Sequence, residues 1–311
     1  MSYYFNADFE TCIIEKRPFN PKLAMNREFE YFIMLLESEP LFTTLDYSND
    51  YIAYIRKHFN ANAQYTKLSK DLIPWCADRD VSEEIVSKKT AALFNKEVLG
   101  RDDIQIVSKG CELKEGHLYK RFHGFSGMGH FMAPREANKI SELLSGGEEL
   151  IEEPLFERVY DFSTLIVEGK RIRYQNIVDK SFHYKGSIIR NFDLGEMLEE
   201  QYQREIDLII DHYQKLGISE PFSIDSFIYK ENKKLKLITL SEVNARKSMG
   251  YIAYKLSEKF PANMYALMLD RKEHSESAKV LKLNPSGKRF NTYFYLIADE
   301  KELSALGLRL L

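Results

Sequence analysis

The stretch Leu240-Ser-Glu-Val-Asn-Ala-Arg-Lys-Ser-Met-Gly250 (LSEVNARKSMG) decides how this chain is read. Side chains along a strand repeat with a period of two, so Glu242, Asn244 and Arg246 point to one face. The segments PFSIDSFIYK (221–230) and KLKLITLSEVNAR (234–246) both read as strands, joined by the polar turn ENKK. Antiparallel pairing of the two brings Asp225 close to Glu242 and Asn244. Two carboxylates and an amide carbonyl are hard oxygen ligands of the kind Mg²⁺ takes, usually with phosphate oxygens and water. Glu242, central in the group, is placed to bridge two ions. A solvated strand face gives the same pattern, so the hairpin alone leaves both readings open.

The chain has 311 residues, enough for one large multi-lobed domain or two to three smaller ones. Apolar residues make up 44% and support a real core, and a net charge of −3 argues against a general nucleic-acid or anionic-membrane binder. Cys12, Cys76 and Cys111 are sparse and odd in number, which predicts free thiols in a reducing compartment. The start, MSYYFNADFETC, has no basic segment leading into an apolar run, and no run approaches the ~18 residues of a membrane helix. The expectation is a soluble, cytoplasmic protein.

Residues 1–100 alternate strand-like and helical patterns, an α/β lobe. YYFNADFE (3–10) reads as a strand and KLAMNREFEYFIMLLES (22–38) as one helix. VSEEIVSKKTAALFNKEVLG (81–100) reads as a helix capped by Ser82 and stopped by Gly100. Trp75 reads as a core residue at the edge of this lobe. GHLYKRF is then a strand, HGFSGMGH a glycine-rich turn, and FMAPREANKISELLSGG a helix with Pro134 near its first turn. DFSTLIVEGKRIRYQNIV predicts a hairpin turning at Glu168-Gly169. A long amphipathic helix over 195–216 places Leu198, Tyr202, Ile206, Ile209 and Tyr213 on one stripe.

In YKRFHGFSGMGHF, glycines let backbone N–H groups approach phosphates, and Lys120 at the strand end meets them as a point charge. It is neither a Walker A sequence nor GxGxxG. His123 and His130 flank the glycines without a third ligand at zinc spacing, so they read as turn residues.

Together and in this order the elements resemble the ATP-grasp superfamily, from about Ser87 to Tyr254. The resemblance rests on Lys120 with Ser126-Gly127-x-Gly129, on Glu152-Glu153, on Asp161 nine residues after Glu152, and on Asp225, Glu242, Asn244 and Arg246. The run DFSTLIVEGKRIRYQNIVDK…IIRN is most similar to the amino-acid-adding, RimK-like glutamate ligase branch. The resemblance implies an α+β fold: an α/β lobe over 1–100, a lid of antiparallel strands and helices over 101–153, and a core with the magnesium site and a C-terminal extension over 154–311. It implies that Lys120 binds the α/β phosphates and that Ser126, Gly127 and Gly129 form the flap over the β/γ phosphates. Glu152, with the Glu153 backbone, would meet adenine, Asp161 the ribose, and Arg190 and Asn191 the triphosphate. Asp225, Glu242 and Asn244 match the magnesium ligands, and Arg246, with Lys247, would act on the transferring group. A lysine at the start of the helix before the lid also belongs to the pattern; spacing to Gly100 favours Lys89, with Lys88 the alternative. Glu242 lies seventeen residues after Asp225, a long hairpin whose excess falls in KENKKLK.

The activity so implied is an ATP-dependent carboxylate–amine ligase passing through an acyl phosphate, with Mg²⁺ (two ions, Mn²⁺ able to substitute). Its partners are small carboxylate and amine substrates, not nucleic acid or membrane, and a homodimer is compatible with the family. A kinase or a non-catalytic nucleotide-binding module on the same fold are the alternatives. Arg171, Arg173, Lys185, Arg246 and Lys247 are candidates for a cationic pocket holding an acidic substrate. The C-terminal sixty or so residues either complete the core sheet or shape the substrate pocket.

Overall fold

In the computed structural model, described for residues 1–305 apart from 21, 69, 79, 125–128, 179–183, 191, 260–264 and 286–289, three sheets organise the chain. The first is parallel, in the order β3-β2-β1-β4, from β1 (Ser2–Tyr4), β2 (Leu41–Phe42), β3 (Tyr65–Thr66) and β4 (Leu72–Pro74). The helices α1 (Phe9–Ile14), α2 (Ala24–Phe29), α3 (Tyr31–Leu36) and α4 (Asn49–Phe59) belong to this lobe. The strand expected over 3–10 stops at Tyr4. Asn6 explains the stop: its side chain accepts from the Cys76 N–H (2.6 Å) and donates to the Ala77 carbonyl (2.9 Å), which ties the chain into the turn before α1. The helix expected over 22–38 is two helices jointed at Glu30, whose buried carboxylate accepts from Thr43 and Tyr47.

The single helix expected over 81–100 is likewise two, α5 (Glu83–Val86) and α6 (Lys88–Glu97). Ser82 caps the first, as expected. Ser87 is extended (ψ 126°) and caps the second through the Lys89 N–H at 3.2 Å, so helix geometry restarts there. The second sheet is antiparallel, in the order β5-β8-β6-β7, from β5 (Gln105–Val107), β6 (His117–Lys120), β7 (His130–Met132) and β8 (Leu150–Pro154). It is backed by α7 (Ala137–Ser145). Pro134 precedes α7 in a turn rather than opening it.

The third sheet is antiparallel, in the order β13-β12-β9-β10-β11-β14-β16-β15. Its strands are β9 (Arg158–Val167), β10 (Lys170–Val178), β11 (Tyr184–Ile189), β12 (Phe222–Glu231), β13 (Lys234–Asn244), β14 (Tyr265–Asp270), β15 (Val280–Lys282) and β16 (Tyr293–Ile297). The helices α8 (Glu196–Lys215), α9 (Met249–Ser257) and α10 (Glu300–Ala305) accompany it. Helices beside large antiparallel sheets make the α+β class that the sequence implies. The C-terminal strands β14 to β16 extend the core sheet.

Two tight turns set this sheet's register. Glu168 and Gly169 take positive φ (52° and 71°) between β9 and β10, as expected. The tip of the β12–β13 hairpin is also two residues, Asn232 and Lys233 (φ 50° and 65°), so KENKKLK is not where the extra length goes. A bulge takes it. Asp225 pairs with Glu242 whereas Phe227 pairs with Ile238, so Ser226 faces three residues of β13 and donates to the Thr239 carbonyl at 2.7 Å. Even-numbered residues of β9 such as Phe162 and Ile166 pack on the α8 stripe, Leu198, Tyr202, Ile206, Ile209 and Tyr213, all buried. Odd-numbered Leu165 and Val167 pack toward the first lobe. No helix among the described residues is long and apolar enough to cross a membrane.

Gly250 opens α9 directly beneath Tyr174: a Cβ there would lie 2.0 Å from the Tyr174 Cζ. Alanine normally favours a helix over glycine by about 1 kcal/mol. Here Gly250→Ala is expected to displace the buried ring and to destabilise by about 1–3 kcal/mol. Denaturant midpoints check this, and the penalty should shrink in a Tyr174→Leu background.

Candidate active site

Register places the two candidate carboxylate ligands on one line that crosses four strands. Glu242 on β13 pairs with Asp225 on β12, which pairs with Ser163 on β9, and Ser163 pairs with Tyr174 on β10. Asn244 and Asp161 sit one step away in opposite directions on the same face, the face turned to the first lobe. Ser163 Oγ donates to Asp225 Oδ1 (2.5 Å) and accepts from Asn176 Nδ2 (2.6 Å), and Asn244 Nδ2 donates to Asp225 Oδ2 (3.0 Å). Arg246 continues the chain: its guanidinium donates to Asn244 Oδ1 (3.3 Å) and to Glu10 Oε1 of α1 (2.7 Å). Ser163, Asn176 and Glu10 were missed from sequence. Ser163 stood two residues from Asp161 and was open to a period-two reading, and Asn176 falls opposite Asp161 once the hairpin turns at Glu168-Gly169; Glu10 comes from distant chain and carries no local signal.

Burial and the neighbouring Glu242 carboxylate push Asp225 up to about 6. The site therefore asks for positive charge, and a lysine supplies some: Lys88 Nζ lies 2.5 Å from Glu242 Oε1 and 2.6 Å from the Gly124 carbonyl. A divalent cation answers the same demand, and two carboxylates with the Asn244 amide oxygen suit one. Among the described residues no third carboxylate, His or Cys joins them.

Lys88, not Lys89, is therefore the lysine at the site. Lys89 is one residue further round α6 and half-exposed, pairing with Glu149 at 3.1 Å. Lys120 is buried against Glu153 at 2.5 Å; burial lowers its pKa although Glu153 opposes this. The two hinge acids split by strand parity. Glu153 shares the Lys120 face, while Glu152 is buried on the opposite face with Lys114 (2.5 Å), His117 (3.1 Å) and Tyr119 (3.3 Å), so its carboxylate does not look into the cleft. His130, paired with Lys120 across β6–β7, is pushed well down by burial and then by the cations Lys120, Lys88 and Arg158. Gly129 closes the glycine loop at φ 84°, its carbonyl accepting from the Arg121 N–H. Ser126, Gly127 and Asn191 lie outside the described residues.

Asp161 accepts from Arg158 at 2.9 Å, and burial raises its pKa against that pairing. Arg190 does not join it. Its guanidinium donates to Gln175 (3.1 Å), and Gln175 pairs with Phe162 on the α8 face. Parity also removes Arg171 and Arg173 from the expected cationic pocket: both point to α8, pairing with Asp207 and Glu199 at 2.6 Å each. Lys185 does not line the cavity either. Arg246 and Lys247 do. Lys247 Nζ lies 3.2 Å from Glu37 and 4.7 Å above the buried ring of Trp75, so the core tryptophan also seats this lysine.

A cavity of about 570 Å³ opens from this face. It runs from Arg158 and Asp161, past Asp225, Glu242 and Asn244, to Arg246 and Lys247, and on between the first lobe and the C-terminal strands. Because the native Asp225 carboxyl keeps its proton to higher pH than its ordinary value of 3.8, the metal-free protein should lose stability as pH rises from about 4 through 6. Carboxyl NMR should show Asp225 titrating near 6, lower in Glu242→Gln and higher in Lys88→Met.

No protein-family model matches the sequence, and no curated protein matches it. Solved structures do match. Biotin carboxylase from Campylobacter jejuni, solved as a β,γ-ATP complex, aligns at a TM-score of 0.52 over 76% of this chain and 68% of that one, with 10% identity. The biotin carboxylase domain of 2-oxoglutarate carboxylase from Hydrogenobacter thermophilus, a dimer solved with MgADP, ADP and bicarbonate, aligns at 0.52 over 76% and 68%, with 12% identity. Identities this low speak for architecture. The chain has the ATP-grasp fold.

Proposed function

We propose that this chain is an ATP- and Mg²⁺-dependent ligase that joins a carboxylate to an amine through an acyl phosphate, with 1–100 as first lobe, 101–153 as lid and 154–311 as core. The observation that carries the reading is the registered Asp225–Glu242 pair, flanked by Asn244, met by Lys88 and continuous with Arg246 at the mouth of a substrate-sized cavity. Two structural neighbours, solved with ATP or MgADP, support the choice of nucleotide.

Lys88 and Lys120 draw the phosphates between lid and core, and Asp225, Glu242 and Asn244 are the residues that would hold the metal. Bound there, Mg²⁺ would neutralise charge on the β and γ phosphates. Arg246 has five N–H donors, of which Glu10 and Asn244 take two, leaving others for a substrate carboxylate. Burial works against the Arg246 charge, but Glu10, Glu242, Cys76 and Asp225 outweigh it and raise its pKa, so it stays a cation. A carboxylate oxygen attacks the γ-phosphorus and ADP leaves. The amine nitrogen then attacks the acyl carbon, a C–N bond forms, phosphate leaves and the proton passes to solvent. Arg246 and Lys247 stabilise the tetrahedral oxyanion. Such catalysis is positioning and electrostatics, so it needs no nucleophile–base pair.

Hydroxylamine trapping tests the reaction class. With Mg-ATP and a panel of amino acids and small carboxylates, the ligase reading expects a hydroxamate with stoichiometric phosphate, lost in Arg246→Ala. ADP without free phosphate would mean a kinase, and nucleotide binding without turnover a binding module.

A further inference from the structure

The cavity does not end at Arg246. Beyond it, Phe5, Met25 and Phe29 of the first lobe and Leu269 of β14 form an apolar chamber, and Glu28 stands in its wall. Glu28 is anchored from one side. Its Oε1 accepts from the backbone N–H groups of Asn291 and Thr292 (2.8 Å each) and from Thr292 Oγ1 (2.7 Å). All three donors reach the same oxygen, so Oε2 has no hydrogen-bond partner among the described residues. A carboxylate fixed in place with one oxygen to spare, in an apolar wall, is complementary to a cation carried on an apolar body.

We propose, building on the ligase reading, that this chamber is the amine-substrate subsite and takes an ammonium compound with an apolar side chain, an apolar α-amino acid being the simplest. Glu28 binds the ammonium, and Phe5, Met25, Phe29 and Leu269 take the side chain. An acidic side chain would lose its hydration against these groups and meet Glu28 as a like charge. Of the candidate cationic pocket, Arg171 and Arg173 are on the other face of the sheet, and the two members that line the cavity, Arg246 and Lys247, are assigned to the acyl-donor carboxylate and the oxyanion.

Calorimetry decides it, titrating the full chain with L-leucine, L-phenylalanine and L-glutamate, with and without Mg-ADP. The proposal expects leucine or phenylalanine to bind at least about tenfold more tightly than glutamate. Glu28→Gln keeps an acceptor for the Asn291–Thr292 loop and should weaken apolar amino-acid binding about tenfold while leaving Mg-ADP affinity unchanged. Met25→Lys, which leaves Glu28 in place, should move the preference toward glutamate. Glutamate binding as tightly as leucine, no binding of either apolar amino acid, or an unaltered affinity in Glu28→Gln would each overturn the proposal. Separate titration with Mg-ADP reports on the underlying reading: loss of nucleotide binding with the amino-acid preference intact would remove the ligase and keep the chamber's selectivity.

Discussion

Two carboxylates held side by side in a half-buried sheet face, Asp225 against Glu242, are the constraint around which this molecule is arranged. Like charges so placed repel, and burial beside Glu242 makes Asp225 harder to ionise. The structure meets the demand from three directions. Ser163 and Asn244 donate hydrogen bonds to Asp225 from the two neighbouring strands, Lys88 reaches Glu242 from α6, the last helix before the lid, and Arg246 closes the row, itself balanced by Glu10. These partners come from positions 10, 88, 163 and 246, so the site exists only when α1, α6 and the core sheet are docked together.

The same geometry makes the site receptive. A lysine on a carboxylate is a replaceable counter-charge: Lys88, bonded to both Glu242 and the Gly124 carbonyl, is the group that a divalent cation held by Asp225 and Glu242 would displace. In the proposed amine subsite the balance is reversed: Glu28 has one oxygen to spare, so the cavity that carries Arg246 and Lys247 also carries an anionic group suited to a cation.

What the sequence disclosed follows from periodicity. The period-two run ending at Asn244, the α8 stripe and the Glu168-Gly169 turn were legible because each depends on neighbours in sequence. What it hid was parity and distance. Glu152 and Glu153 differ by one residue and therefore by a whole face of the sheet, and nothing local says which face meets the cleft. Arg171 and Arg173 alternate as a site residue would, but their face belongs to α8. Lys88 and Lys89 are separated only by where Ser87 restarts the helix. The hairpin's excess length went into a bulge at Ser226 rather than into its tip, and a bulge leaves no mark in composition. Glu10 and Glu28 are joined to the site by tertiary contacts alone.

The central claim is that the Asp225–Glu242 pair holds the metal that binds ATP. It is tested most directly by calorimetry of ATP binding with and without Mg²⁺, in wild type and in Glu242→Gln. The account predicts Mg²⁺-dependent affinity in wild type and its loss in the variant, with thermal stability retained. Wild-type protein that binds ATP equally well without Mg²⁺, or a variant that keeps the full Mg²⁺ dependence, would contradict it.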